Sequence, residues 1–308
     1  MSESKVYHAA CLCSKVKFTL TGEPFHFVVC HCRNCKQASG SAFLANTMFK
    51  HSQLTVTQGQ EAIANYADSN TLSGNTITRS FCSTCGSTLF VKPAKDHGFF
   101  ITHPSLIEET VTWGNAKERA AQRTAMALDK GHYFPKESTD KALIALMGAS
   151  ELSGSHSLGL VLVEGEFEAS PSNTMTEAKI YHAACLCAKI KFTIQGEPFH
   201  YALCSCRNCK QASGSAFSSQ AFFHPHQIKI TQGEDTITHY ADGNNLSGNV
   251  IRRSFCASCG ARLFVKPARD GIVLVHPSLV EESVDWVPKM EFHGEERPPW
   301  VKEITFDT

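Results

Sequence analysis

The chain is built from short polar–apolar alternations, with few helical stripes. Lys15-Val16-Lys17-Phe18-Thr19-Leu20 alternates strictly, which predicts a half-buried strand. Phe25 to Cys30 is an apolar run. Leu54-Thr55-Val56-Thr57 alternates again and is closed by Gly59. Thr76 to Phe81 and Thr88 to Val91 predict two strands flanking Cys82-Ser83-Thr84-Cys85-Gly86, with Pro93 ending the second. Phe99-Phe100-Ile101 predicts another strand. Only Arg33 to Ser39 and Ala116 to Leu128 read as helical. The expected class is mainly β, with few short helices.

The pattern is written twice. Cys11, Cys13, Cys30, Cys32, Cys35, Cys82 and Cys85 recur as Cys185, Cys187, Cys204, Cys206, Cys209, Cys256 and Cys259, every one at an offset of 174. Between Lys5–Lys95 and Lys179–Arg269 there are 57 identities in 91 positions, without a gap. The register then slips by one: His103-Pro104-Ser105-Leu106 matches His276-Pro277-Ser278-Leu279, and Trp113 matches Trp286. A period this long means two domains, not a solenoid. Met175-Thr176-Glu177 aligns with Met1-Ser2-Glu3, as though an old initiator methionine opened the second copy. A tandem fusion of two genes is the expected origin. The expected organisation is a first zinc domain at 1–113, a spacer with a possible helix at 114–174, and a second zinc domain at 175–308. Ala169 to Thr174 reads as a flexible linker. Arg297-Pro298-Pro299-Trp300-Val301 near the end of the second copy has no counterpart in the first. The long spacer permits the copies to pack as an intramolecular pseudo-dimer, although nothing in the sequence requires it.

Charge removes some partners from consideration. Lys plus Arg is 29 and Asp plus Glu is 29, for a formal net charge of zero over 308 residues. That argues against a general electrostatic hold on nucleic acid or anionic membrane. The longest apolar run, near Leu158 to Val163, is far too short to span a bilayer, and Met1 to Lys5 carries no secretion signal. A cytoplasmic location is expected.

The 14 cysteines carry the chemistry. A disulfide framework fits poorly: seven per copy is odd, and cytosolic thiols stay reduced. A metal reading uses them all. Cys82-x-x-Cys85-Gly86 is a zinc knuckle, its glycine permitting the left-handed turn that aims N–H groups at the sulfurs. A closed zinc needs four ligands, and Cys11-x-Cys13 is the obvious other half. Cys30-x-Cys32-x-x-Cys35 then remains as three thiolates with an open position, the arrangement of a catalytic zinc. In the second copy Cys185, Cys187, Cys256 and Cys259 form the closed set, and Cys204, Cys206 and Cys209 the open one. Two zinc ions per copy, four per chain, are expected. His31 lies between two chelating cysteines and should point away from them; the second copy has Ser205 there. His8/His182, His26/His200 and His103/His276 are expected to be hydrogen-bonded structural residues. A three-thiolate zinc is a poor Lewis acid. It suits a soft fourth ligand, a substrate thiol, better than a hydrolytic water. Lys36-Gln37-Ala38-Ser39-Gly40-Ser41 follows the open site and reads equally as a plain turn or as a short carboxylate-binding helix start.

At this point the residues resemble a known family. Cys11 to Cys13, then Cys30-His31-Cys32-x-x-Cys35 leading to Ser39-Gly40-Ser41, then Arg79-x-Phe81-Cys82-x-x-Cys85-Gly86, is similar to the glutathione-dependent formaldehyde-activating enzymes, a family that includes the centromere protein V type domain. The likeness covers about 5–113 and 179–301. It implies a mainly β, zinc-dependent fold with a structural and a catalytic zinc. It also implies a carbon–sulfur lyase activity: glutathione, as co-substrate, adding to formaldehyde to give S-hydroxymethylglutathione. The resemblance assigns catalysis to Cys30, Cys32 and Cys35 and to Cys204, Cys206 and Cys209. The partners expected are a small thiol and an aldehyde. Departures bear on this. Ser205 replaces the histidine of Cys-His-Cys, and Leu44-Ala45-Asn46-Thr47-Met48 diverges from Ser218-Ser219-Gln220-Ala221-Phe222, so two expectations stand open: the copies differ in substrate, or one is inactive. Two alternatives remain: a lyase or isomerase acting on a larger thiol adduct, and a non-catalytic zinc-stabilised binding module. The balanced charge and short tails speak against the module.

Overall fold

In the computed structural model, residues 4–111, 178–269, 271–282 and 284–301 are described. The first copy opens with β1 (Val6–Ala10) and β2 (Lys17–Thr21), which pair antiparallel and carry β5 (Leu54–Gln58) on the far edge of β2. The alternation in β2 turns Phe18 and Leu20 inward and leaves Lys17 and Thr21 exposed. A second sheet lies against this one, in the order β3 (His26–Cys30), β4 (Leu44–Lys50), β9 (Phe99–Thr102), β8 (Thr88–Lys92), β7 (Ile77–Cys82), β6 (Ile63–Asp68). Every neighbouring pair in it is antiparallel. Tyr7, Phe18, Phe49, Phe90 and Phe100 fill the space between the sheets together with Cys11, Cys82 and Cys85. One helix, α1 (Arg33–Ser39), follows β3 and ends on Gly40 in the left-handed conformation.

The second copy repeats this plan. Its three-stranded sheet is β10 (Ile180–Ala184), β11 (Lys191–Gln195) and β14 (Ile228–Gln232). Its larger sheet runs β15 (Ile237–Asp242), β16 (Ile251–Cys256), β17 (Arg262–Lys266), β18 (Val273–Val275), β13 (Ser218–Phe223), β12 (His200–Cys204) and β19 (Met290–Phe292). The helix is α2 (Arg207–Ser213). The seventh strand, β19, runs parallel to β12 and has no counterpart among the described residues of the first copy. The predicted class is the observed one. The spacer helix expected at Ala116 to Leu128 and the linker at Ala169 to Thr174 lie outside the described residues. Among the described residues no helix is long and apolar enough to cross a membrane.

The copies pack on each other as a pseudo-dimer, by reciprocal sockets. Gly86, at φ +72°, receives the Phe255 ring, and Gly260, also at φ +72°, receives Phe81. The two phenylalanines meet edge to face at 6.5 Å. The His276 ring lies on Gly40, and His103 lies on Gly214. Phe43 meets Phe217 at 5.1 Å, and Trp300 crosses from the second copy to Phe27 at 5.2 Å. Tyr66 packs against the second copy's core and Tyr240 against the first's. A backbone bond, Ser219 N–H to Gly40 O at 3.1 Å, ties the loops together.

The knuckle glycine therefore has two duties, a left-handed turn and a flat seat for the partner's ring. A Cβ on Gly86 would stand 2.5 Å from Phe255. Left-handed strain costs about 1–2 kcal/mol and overpacking about 1–3. Gly86→Ala and Gly260→Ala should each destabilise the chain by about 2–5 kcal/mol in thermal or denaturant unfolding. A change below about 1 kcal/mol would mean that the socket yields.

Candidate metal centres

Cys11 and Cys13 lie on the β1–β2 turn. Cys82 ends β7, and Cys85 sits in the turn to β8. The two turns meet at one end of the core and bring the four sulfurs within 4.8 Å of one another. Cys11 to Cys13 is 3.5 Å and Cys13 to Cys82 is 3.8 Å. A tetrahedron of sulfurs around zinc at about 2.3 Å requires sulfur separations of about 3.8 Å, so this set fits the ion. The Val16 amide donates to Cys11 Sγ at 3.3 Å. Cys185, Cys187, Cys256 and Cys259 reproduce the arrangement at 3.5 and 3.8 Å, with the Ile190 amide on Cys185.

The second cluster is made locally. Cys30 ends β3, Cys32 caps α1, and Cys35 is one turn further on, so strand end and helix start face the same point. Cys30 to Cys32 is 3.4 Å, and all three sulfurs lie within 4.8 Å. Cys204, Cys206 and Cys209 match them, with the Cys209 amide donating to Cys206 Sγ at 3.5 Å. Among the described residues no fourth histidine, cysteine or carboxylate joins either triad. Hydrogen bonds from Cys30 and Cys35 push the Cys32 thiol down to about 2. In the second copy the bonds from Cys204 and Cys206 favour the Cys209 thiolate, and Cys206 is pushed up to about 12.

Behind each triad lies a buried polar relay that sequence reasoning missed. Asp68 and Arg79 are diagonal neighbours on β6 and β7, since Asp68 pairs with Ile77 and Tyr66 with Arg79. Arg79 Nε donates to Asp68 at 2.8 Å, and both Nη groups face Cys35 Sγ at 3.9 Å. Asn34 Nδ2 donates to both Asp68 oxygens at 2.9 and 3.0 Å, and to the Asn70 carbonyl. Burial opposes the charge on Arg79, but Cys35 and Asp68 outweigh it and raise its pKa. Arg253, Asp242, Asn208 and Cys209 repeat the relay. Arg79 was visible only as a letter of the Arg-x-Phe-Cys motif, and Asp68 and Asn34 carried no signal at all.

The histidines stay out of the clusters. His8 Nδ1 pairs with Glu109 at 2.7 Å and His182 with Glu282 at 2.6 Å. His31 packs on Phe43, ring to ring at 5.5 Å. Ser205, in its place, donates to Glu291 on β19, and its amide donates to Phe292 O. The tail also brings Glu296 to the Arg207 amide at 2.7 Å, and Phe292 onto the triad. His200 Nε2 meets Met290 Sδ at 2.9 Å. His103 Nδ1 bonds the Ala45 carbonyl at 2.8 Å, and His276 Nδ1 bonds the Ser219 carbonyl at 2.7 Å. Burial holds both at about 4. Their folded pKa lies below the unfolded value of about 6.5, so the unfolded chain binds more protons in between. Their contribution is whole above about pH 6.5 and is lost as pH falls toward 4, by about 3 kcal/mol per histidine. Melting temperature in zinc-saturated buffer should therefore fall across this window. His103→Gln with His276→Gln should flatten the fall; an unchanged slope would rule out this origin.

Comparison with known proteins decides the family. A family model described as "Glutathione-dependent formaldehyde-activating enzyme" matches residues 6–123 and again 180–296. The chain belongs to the glutathione-dependent formaldehyde-activating enzyme family. Each match spans one four-cysteine set and one three-cysteine set. No curated protein matches it. A crystal structure of a Rhodobacter sphaeroides protein is similar over 35% of this chain and 97% of that one. Its 16% identity and TM-score of 0.28 make the likeness too slight to bear on fold or function.

Proposed function

We propose that each copy holds two zinc ions and that the chain adds a thiol, glutathione or one similar, to formaldehyde or a related aldehyde. The observation that carries this reading is the contrast between the two clusters. Four sulfurs close one site; three, with no fourth ligand among the described residues, leave the other able to take a ligand from outside. Cys11, Cys13, Cys82 and Cys85, with Cys185, Cys187, Cys256 and Cys259, would hold structural zinc. Cys30, Cys32 and Cys35, with Cys204, Cys206 and Cys209, would hold the reactive one. Zinc bound there supplies the charge that keeps an incoming thiol deprotonated at neutral pH. The chain's own part is to fix the three sulfurs on a strand end and one helical turn, and to set a guanidinium behind Cys35. The balance is simple: a sulfur–carbon bond forms, the carbonyl π bond breaks, and the oxygen takes the proton that the thiol loses. The reverse is the carbon–sulfur lyase direction.

Exchange NMR on glutathione plus formaldehyde tests this. Zinc-loaded chain should raise exchange into the S-hydroxymethyl signal above the uncatalysed rate. Background exchange would refute formaldehyde as the electrophile.

One observation favours a second reading, a larger thiol adduct, for the second copy. Cys30 pairs with Leu44, which packs onto the first triad, whereas Cys204 pairs with Ser218. The strand residue beside the second triad is therefore smaller and polar, with Phe292 of the tail as an apolar neighbour there.

A further inference from the structure

The Asp–Arg pair behind each triad is not explained by stability. Arg79 is 3% exposed and Asp68 is fully buried. Desolvating two such charges costs about as much as their attraction returns, so a buried pair by itself is weak reason for a fold to contain one. Its orientation is more telling. Asp68 takes Nε, which leaves the two Nη groups as a fork, and the fork faces a single sulfur, Cys35 Sγ, at 3.9 Å on both prongs. Asn34 pins the carboxylate from the helix that carries Cys35, so the guanidinium is registered to that sulfur from two sides. Three thiolates around a divalent ion leave a net charge of −1, and a fourth thiolate makes it −2. A buried cation at one of the three offsets such an accumulation.

The copies differ at one more contact to the same sulfur. Gln220 Nε2 donates to Cys209 Sγ at 3.6 Å. Asn46, one methylene shorter, stands at the matching position, and its Oδ1 is buried with no hydrogen-bond partner among the described residues. Cys209 thus has the Arg253 fork and an amide, where Cys35 has the Arg79 fork with no side-chain amide beside it among the described residues.

We propose that Arg79 and Arg253 are positioning residues which hold the third thiolate of each open site and draw charge from it, and that residues 46 and 220 set the two sites to different strengths. Hydrogen bonding to a thiolate lowers its donation to a metal, which leaves the metal more receptive to a fourth sulfur. The second site is then the more receptive of the two. This rests on the three-cysteine metal reading above and is independent of which aldehyde reacts.

The full chain loaded with cobalt(II) in place of zinc tests it without any turnover. The readout is the sulfur-to-cobalt charge-transfer band. Less hydrogen bonding raises the sulfur orbitals and moves the band to longer wavelength. Arg79→Gln with Arg253→Gln should shift the band that way and weaken glutathione binding, read from its effect on the same band, by about tenfold. Lysine at both positions should restore part of the shift. Asn46→Gln should move the first site's band in the opposite direction, toward that of the second. A merely structural role for these residues would not produce shifts of opposite sign. Bands unmoved in both sets, with cobalt retained, would overturn the proposal. Should the arginine variants fail to hold cobalt, Asn46→Gln decides alone, and an unmoved band there overturns it. Cobalt confined to the four-sulfur sites would overturn the three-cysteine reading and this proposal with it. Absent formaldehyde exchange, by contrast, touches only the choice of electrophile.

Discussion

Serine at Cys85 is expected to cost the first copy its fold. Cys11, Cys82 and Cys85 are fully buried within the aromatic core made by the two sheets. They are also the clasp between the β1–β2 turn and the β7–β8 turn. Structural zinc contributes on the order of 10–16 kcal/mol in small domains, comparable with the whole stability of a domain at about 5–15 kcal/mol. Losing one ligand forfeits much of that and leaves unshared thiols in the core. The damage should cross the pseudo-dimer, because Gly86 follows Cys85 directly and seats Phe255 of the other copy. Cys85→Ser and Cys259→Ser should each lower zinc content by about one ion per chain and drop the melting temperature by more than about 10 °C. A normal melt with one ion missing would show that the four-sulfur site does not hold the fold together.

The open triads should behave in the opposite way. Cys30, Cys35 and Leu44 form a small cluster of their own, apart from the main core. Cys32→Ser made together with Cys206→Ser should therefore move the melting temperature by only a few degrees. The same pair should reduce thiol–aldehyde exchange by about a thousandfold or more, since the step relies on charge held at that point. Cys32→Ser alone should leave the second copy's share of the rate, and Cys206→Ser the first's. Exchange untouched by the double substitution would remove the triads from the chemistry. A collapse of the fold would make them structural.

The parts readable beforehand are those written locally. Alternation marks β2 and β5 because one face of each is wet, and α1 runs over the expected Arg33–Ser39. β4 is hidden because nearly all of Leu44–Lys50 is buried on both faces, which leaves no period of two to read. The C-x-C and C-x-x-C spacings mark which neighbouring cysteines face one another, whereas joining Cys11 and Cys13 to Cys82 and Cys85 takes the meeting of the β1–β2 and β7–β8 turns. The relay behind them is different. Asn34 and Asp68 are 34 residues apart, and Arg79 and Cys35 are 44 apart, so only the strand pairing of β6 with β7 brings them together. Nor does any local pattern announce that Trp300 will cross to the other copy.

The reciprocal sockets make the halves hostages to each other over evolutionary time. A mutation that silenced one triad would relieve its cysteines of selection, yet that half would still have to present Phe81 or Phe255, His103 or His276, and the facing glycines. A retired copy would therefore decay unevenly, its reactive thiols drifting first while its contact surface stayed fixed. In this chain both triads are intact beside both sets of sockets. Of the positions that differ between the copies, His31 to Ser205, Asn46 to Gln220 and Leu44 to Ser218 lie beside the triads. Those three alter the surroundings of the sulfurs and leave the sulfurs themselves in place.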